Sequence, residues 1–344
     1  MQAMLQSKRV LGAAAAAFAL VASLVGCSAT STSDTTSDAT ATTTEETAVT
    51  VNVGSLKGPT SMGLVDLMQV NDEGEAGQEY NFTIATAADE LVASVIKGDL
   101  DIALVPANVA STLYNKTEGG VTVLDINTLS VLYLVTGDES VNGLEDVAGK
   151  TIYLTGKGTT PEYALTYLLD KLGLSGQVTL EFKSEAAEVV SALAQDPTAV
   201  GVLPQPYATA ASVKNEALRQ VVNLGDVWQD VSDDASQLVT GVTIVRNAFL
   251  EEHPKAVATF MEEQAASVTQ VTQDPEAAAA LVVSYGILDS EAVAAKALPL
   301  CGITYVTGQD MKDALQGYLE VLYSFAPESV GGALPSADFY YEAQ

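Results

Sequence analysis

Histidine is nearly absent from this chain, and cysteine, arginine and tryptophan are scarce. Of 344 residues, one is histidine, two are cysteine and one is tryptophan. His253 stands in Glu251-Glu252-His253-Pro254, at the start of a polar helical segment. A nucleophile–histidine–carboxylate relay has little to draw on, and no His/Cys cluster has metal-site spacing. Cys27 and Cys301 make no disulfide framework, and Cys301 reads as a small buried hydrophobe. Gly156-Lys157-Gly158 runs on into Thr-Thr-Pro instead of reaching the third glycine of a dinucleotide turn. The acidic run Asp230-Val231-Ser232-Asp233-Asp234 lacks the pattern of a calcium loop. Arg219 and Arg246 are the only arginines beyond Arg9, and neither falls in the expected cleft, so no bidentate arginine clamp is expected there. These shortages lead to the expectation of a protein that is not an enzyme and that uses no cofactor and no metal. Basic residues are few overall: 15 Lys and Arg stand against 44 Asp and Glu, a formal charge of −29. That balance argues against nucleic acid and against adsorption to anionic lipid headgroups.

The amino terminus carries targeting signals. Lys8 and Arg9 precede an apolar run from Val10 to Val25, right in length for a secretory signal and somewhat short for a membrane span. The run ends in Leu24-Val25-Gly26-Cys27, which resembles the lipobox of bacterial lipoprotein signal peptides. That resemblance implies a signal peptide over 1–26, cleavage before Cys27 and a lipid on its thiol. It also implies a protein held at the outer, extracellular or periplasmic, face of a bacterial membrane. From Ser28 to Ala48, 13 of 21 residues are Ser or Thr and four are acidic. Such a segment cannot bury enough surface to fold. Residues 27–48 are therefore expected to be a tether, spanning roughly 25 Å as a flexible coil.

From Val49 onward short apolar runs alternate with longer helical segments. Strands are expected over 49–53, 81–85, 101–105, 151–154, 177–182 and 199–203. Helices are expected over 59–70, 88–97, 161–172, 185–195, 253–270, 275–285 and 311–325. The order βαβαβ occurs twice, the signature of mostly parallel sheets covered by helices. Leu129 to Thr136 and Gly241 to Arg246 read as two crossing strands. The expected division is 49–135 with 241–344 as one lobe and 136–240 as the other. Two lobes joined by two crossings form a clamshell, with a ligand at the carboxyl ends of the strands.

Two turns share a pattern, Lys57-Gly58-Pro59-Thr60 and Lys157-Gly158-Thr159-Thr160, 100 residues apart. A glycine turn between strand and helix leaves free N–H groups at the positive end of the helix dipole, suited to an anion or a polar ligand. The hydroxyls of Thr60, Ser61, Thr159 and Thr160 would add donors for an oxyanion or a carbonyl oxygen. Tyr133, Tyr163 and Tyr207 would offer flat surface to a ring. Each has a plainer alternative: the hydroxyls cap helices, the lysines are solvated turn residues, and the tyrosines only pack.

Longer stretches carry a family likeness. Leu56-Lys57-Gly58-Pro59-Thr60-Ser61-Met62-Gly63, Lys97-Gly98-Asp99-Leu100-Asp101-Ile102-Ala103 and Pro106-Ala107-Asn108 resemble the solute-binding lipoproteins of ABC importers. The branch is the nitrate/sulfonate/taurine-like group, which shares its fold with thiamine-pyrimidine synthases. Gly158-Thr159-Thr160-Pro161-Glu162-Tyr163-Ala164-Leu165 and Pro204-Gln205-Pro206-Tyr207 fit the same group, as does the tail Gly331-Gly332-Ala333-Leu334-Pro335 with Phe339-Tyr340-Tyr341. The resemblance implies an α/β, periplasmic-binding-protein-like clamshell of type II, with mixed, mostly parallel sheets. It implies a cleft walled by Lys57, Gly58, Pro59, Thr60, Ser61 and Met62, by Pro106, Ala107 and Asn108, and by Gly158, Thr159, Thr160, Pro161 and Glu162. Pro204 to Tyr207, with Gln205 and Tyr207 among them, would complete it, and the reading of the residues themselves adds Tyr133 as flat surface. The implied role is capture of a small-molecule ligand by hinge closure and its delivery, by a monomer, to an ABC permease and ATPase. A small organic anion such as a sulfonate suits the helix ends and lysines; an aromatic heterocycle or vitamin precursor suits the tyrosines. A sensor, an adhesin or an enzyme on the same fold is the competing class.

Overall fold

The computed structural model describes residues 49–232 and 236–342. The signal peptide over 1–26, the tether over 27–48, the lipidation site Cys27, and Asp233 and Asp234 lie outside them. In chain order the strands are β1 (Thr50–Leu56), β2 (Glu79–Ala85), β3 (Ile102–Pro106), β4 (Val121–Leu129), β5 (Leu132–Thr136), β6 (Thr151–Leu154), β7 (Thr179–Phe182), β8 (Val200–Pro204), β9 (Arg219–Asn223), β10 (Val239–Arg246) and β11 (Ile303–Val306). The helices are α1 (Pro59–Met62), α2 (Val65–Asp72), α3 (Ala88–Lys97), α4 (Ala107–Lys116), α5 (Thr160–Lys171), α6 (Ala186–Gln195), α7 (Tyr207–Lys214), α8 (Leu224–Val231), α9 (Asn247–Glu252), α10 (Pro254–Gln273), α11 (Pro275–Ser284), α12 (Glu291–Ala297) and α13 (Gly308–Phe325). Among the described residues no helix is long and apolar enough to cross a membrane.

The strands form two mixed sheets, ordered β11-β4-β10-β3-β1-β2 and β7-β6-β8-β5-β9. In each, three strands run parallel through helical crossovers, β2-β1-β3 in one and β7-β6-β8 in the other. The fourth place in each sheet is taken by a strand that arrives from the other. β5 follows β4 in the chain yet lies antiparallel between β8 and β9. β10 follows β9 yet lies antiparallel between β3 and β4.

This exchange corrects the expected division at residue 135. The run Leu129–Thr136 is not one crossing strand: β4 ends at Leu129, and Ser130 turns with φ of +49°. The chain then enters the second sheet at Leu132, so the first crossing falls about five residues earlier than expected. β4 itself is missing from the sequence reading because Asp125, Asn127 and Thr128 crowd its second half. All three are buried, and their hydrogen bonds are made inside the fold.

The expected helix over 59–70 is broken at Gly63. Ser267 of α10 donates to the Gly63 carbonyl at 2.8 Å and accepts from Leu67 N–H at 3.1 Å, replacing the intrahelical ladder there. The largest apolar cluster is continuous across both sheets. It joins Val105, Ile126 and Val242 of the first to Leu134, Ile152 and Val202 of the second. α13 is wedged into this cluster through Met311, Leu315, Tyr318, Leu319 and Leu322. Tyr318 lies 5.6 Å from the ring of wholly buried Trp228 of α8, so a helix late in the chain packs against the second sheet's half.

Candidate functional site

The carboxyl ends of the parallel strands converge on a cavity of about 330 Å³. Five strand-to-helix turns open toward it. Leu56 to Thr60 follows β1, Ala88 starts α3, and Pro106 with Asn108 follows β3. From the second sheet come Thr159 to Pro161 after β6 and Pro204 to Tyr207 after β8. Thr128, Val131 and Thr240, beside the two crossings, line the cavity as well. Five prolines (59, 106, 161, 204 and 206) give it flat apolar walls. Lys57 is its one lysine, Tyr207 its one aromatic, and arginine does not line it. Arg219 donates to the carbonyls of Asp138 and Val141, and Arg246 pairs with Asp101 at 2.8 Å, so both serve the scaffold.

The helix starts at Pro59, Ala88, Ala107, Thr160 and Tyr207 carry no side-chain cap at the residue before them. Thr60, Ser61 and Thr160 therefore do not cap these helices. Nor do they hold their protons out to a ligand. Thr60 donates to the Leu56 carbonyl at 2.9 Å, and Ser61 donates to the same carbonyl. Thr159 donates to Gly156 O at 2.7 Å, and Thr160 to Asn108 Oδ1 at 3.2 Å. In this structure each of these hydroxyls donates to a protein acceptor. A carbonyl can only accept, so the first three protons are committed to the protein.

Thr160 also accepts from Tyr318 Oη at 3.1 Å. Asn108 on the first half, Thr160 on the second and Tyr318 of α13 thus form a buried line at the cavity floor. The two equivalent-looking turns differ as well. In the second, Gly158 N–H donates to the Glu162 carboxylate, so the protein's own anion occupies that N–H. Lys157 lies over the ring of Phe182 at 5.7 Å and does not line the cavity, whereas Lys57 does.

Of the residues expected at the site, Lys57, Gly58, Pro59, Thr60, Pro106, Asn108, Thr159, Thr160, Pro161, Gln205 and Tyr207 line the cavity. Six do not. Ser61 is wholly buried, bonded to Ser55 at 2.8 Å, and Met62 packs behind it against Cys301. Ala107 points into the core. Gly158 and Glu162 satisfy each other. Tyr133 donates to the Leu300 carbonyl at 3.1 Å and packs on the far side of the second sheet. Tyr163 meets Phe325 edge-on at 6.0 Å, so it too packs. Ala88, Val109, Thr128, Val131 and Thr240 line the cavity without having been expected. The usable signal for the last three is their place at the crossings, where two sheets must touch.

Behind Thr128 lies a buried polar network. Thr128 donates to Asn127 Oδ1 at 2.8 Å, Asn127 to Thr243 Oγ1 at 3.1 Å, and Thr243 to Asp125 Oδ1 at 2.9 Å. Gln264 Nε2 donates to the same carboxylate oxygen at 3.2 Å. Asp125 Oδ2 and Gln264 Oε1 have no partner among the described residues. Burial pushes the Asp125 carboxyl up to about 7, against the opposing pull of its bonds from Thr243 and Gln264. Burial likewise pushes the Cys301 thiol up to about 12, which leaves it inert near neutrality. Among the described residues no group of His, Cys, Asp and Glu is arranged to hold a metal ion.

No protein-family model matches the chain, and no curated protein does. Solved structures do. An ABC transporter protein from Parabacteroides distasonis is 24% identical with a TM-score of 0.74, over 86% of this chain and 99% of that one. The periplasmic aliphatic sulphonate-binding protein of Escherichia coli is 13% identical with a TM-score of 0.69, over 86% and 92% of the two chains. An alkanesulfonate-binding protein from Xanthomonas axonopodis pv. citri, bound to MOPS, is 15% identical with a TM-score of 0.61, over 83% and 94%. The two-sheet exchange topology is thus that of type II periplasmic binding proteins.

Proposed function

We propose that the chain is the solute-binding component of an ABC importer, a lipoprotein tethered through Cys27 outside a bacterial membrane. It would hand its solute to a permease and ATPase without covalent chemistry. The observation that carries this reading is the cavity itself. Strand-to-helix turns from two sheets face one apolar-walled space, on a fold shared with an ABC transporter protein and a sulphonate-binding protein. Uncapped helix starts receive an oxygen atom with partial or full negative charge, and the proline walls receive an apolar body. The solute is a small organic anion with one such group, a sulfonate being the model. The half-exposed ring of Tyr207 favours the second reading, an aromatic heterocycle with a carbonyl oxygen.

Equilibrium binding and thermal melting of the full chain test this against alkanesulfonates, nitrate, bicarbonate and pyrimidines. A true solute at about 100 times its Kd adds roughly 2.7 kcal/mol to stability. A flat melting temperature across all of them would refute the proposal.

A further inference from the structure

The wall of the cavity differs in charge from the molecule around it. Over the whole chain 44 Asp and Glu stand against 15 Lys and Arg. Among the described residues that line the cavity there is no Asp or Glu, and Lys57 is the one charged residue. Two carboxylates adjacent in sequence to the wall are kept off it. Asp89 follows Ala88 without lining the cavity, and Glu162, after Pro161, accepts from Gly158 N–H. A strongly acidic protein thus encloses a space whose own charge is positive.

Three lining residues are exposed and carry polar side chains: Lys57, Thr159 and Tyr207. Thr159 gives its proton to the Gly156 carbonyl at 2.7 Å. The Lys57 ammonium and the Tyr207 phenol make no hydrogen bond or ion pair with the described residues. The Lys57 main chain is fixed, its N–H donating to the Ala85 carbonyl at 2.9 Å. From that anchor a flexible four-carbon stem carries three rotatable donors, open to water and tied to no carboxylate.

We infer that the cavity selects its solute by charge, pairing Lys57 with the single anionic group of a molecule that carries no ammonium group. The inference rests on the solute-binding reading and narrows it. An ammonium group entering the cavity loses water and meets no carboxylate there, which is costly. Lys57 repels it as well. The one ring, Tyr207, is exposed, where the attraction of a cation to a ring face is weakest. Amino acids and aminosulfonates are therefore turned away, although they bear the same anionic groups as the plain acids. The five prolines receive the uncharged body.

Matched pairs test this on the full chain by calorimetric titration: propanesulfonate against 3-aminopropanesulfonate, and butyrate against 4-aminobutyrate, with uracil as the uncharged control. The plain acid of a pair is expected to bind at least about tenfold more tightly than its aminated partner. Lys57→Gln weakens the plain acid by roughly ten- to hundredfold, by less as salt is added, and Lys57→Arg restores most of the loss. Equal affinity within the pairs, or native affinity in Lys57→Gln, overturns the inference. A fall in the ligand-free melting temperature of Lys57→Gln that arginine reverses overturns it too, since the charge would then serve the fold. Binding of uracil alone overturns it while leaving the solute-binding reading in place. Binding of none of the five also overturns it, and the wider panel of solutes then decides whether the solute-binding reading falls as well.

Discussion

Replacing Asp125 by asparagine turns its burial into a measurable pH dependence. The carboxyl group is fully enclosed in β4 and titrates near 7, against an ordinary 3.8. Between those values the folded chain holds a proton that the unfolded chain has released. Stability therefore falls as pH rises, by about 1.4 kcal/mol per pH unit. The contribution is complete below about pH 4 and gone above about pH 7, a total of about 4 kcal/mol. Asparagine has the same shape and no charge to bury. Its carbonyl keeps the acceptor for Thr243 and Gln264, and its amide stands where Oδ2 now has no partner among the described residues. At pH 8 Asp125→Asn is thus expected to be more stable than the native chain by about 2–4 kcal/mol, the lower figure allowing for weaker bonds to a neutral acceptor. At pH 4 the two chains converge. Urea unfolding of both at intervals from pH 4 to 8 gives the difference directly, and the other titrating groups cancel in it. A constant loss of stability in the variant across that range would refute the reasoning, because it would mean that the carboxylate is ionised and worth more to the fold than its burial costs.

Tyr318→Phe removes the bond to Thr160 at 3.1 Å and leaves the ring in place. It should cost about 1 kcal/mol by denaturant melting and shift the emission of neighbouring Trp228; an unchanged melting curve would show that the buried line at the cavity floor carries no load. Gly241→Ala drives a methyl group into Asn127 and Thr60. A loss of about 1–3 kcal/mol, with weakened solute binding, is expected, and native behaviour would mean that the backbone there yields freely. Arg246→Gln strips the guanidinium from Asp101, which is 5% exposed and also accepts from Asn52. It should cost about 1–3 kcal/mol at neutral pH, measured by unfolding, with solute affinity unchanged because Arg246 does not line the cavity.

Local chemistry made most of the scaffold legible. Apolar runs ending in glycine or proline marked β1, β3, β6 and β8, and the turns after them do supply much of the cavity lining. What local chemistry could not show was the direction of each hydroxyl. Thr60 and Thr159 sit at helix starts, where sequence reasoning expects a cap or a ligand donor. Both bond backward to carbonyls of their own turns. Glu162 read as a wall residue, yet it folds onto Gly158 and fills the N–H that made its turn attractive. Lys157 matched Lys57 letter for letter but found an aromatic ring on the next strand. β4 escaped notice because buried polar residues look like loop residues until their partners on β10 and α10 are known.

The sequence by itself determined a double α/β framework with glycine turns at its strand ends, because strand runs, helix faces and turn residues are properties of neighbours along the chain. It also left little histidine, cysteine or arginine from which a site could be built, since the chain has one histidine, two cysteines and three arginines. Tertiary structure alone decided where β4 gives way to β5, which of two matching turns stays open, and that the Thr240 hydroxyl is enclosed without a partner among the described residues. Each of these depends on contacts between residues far apart in sequence, and hydrogen-bond partners of that kind are assigned only once the two sheets have exchanged strands.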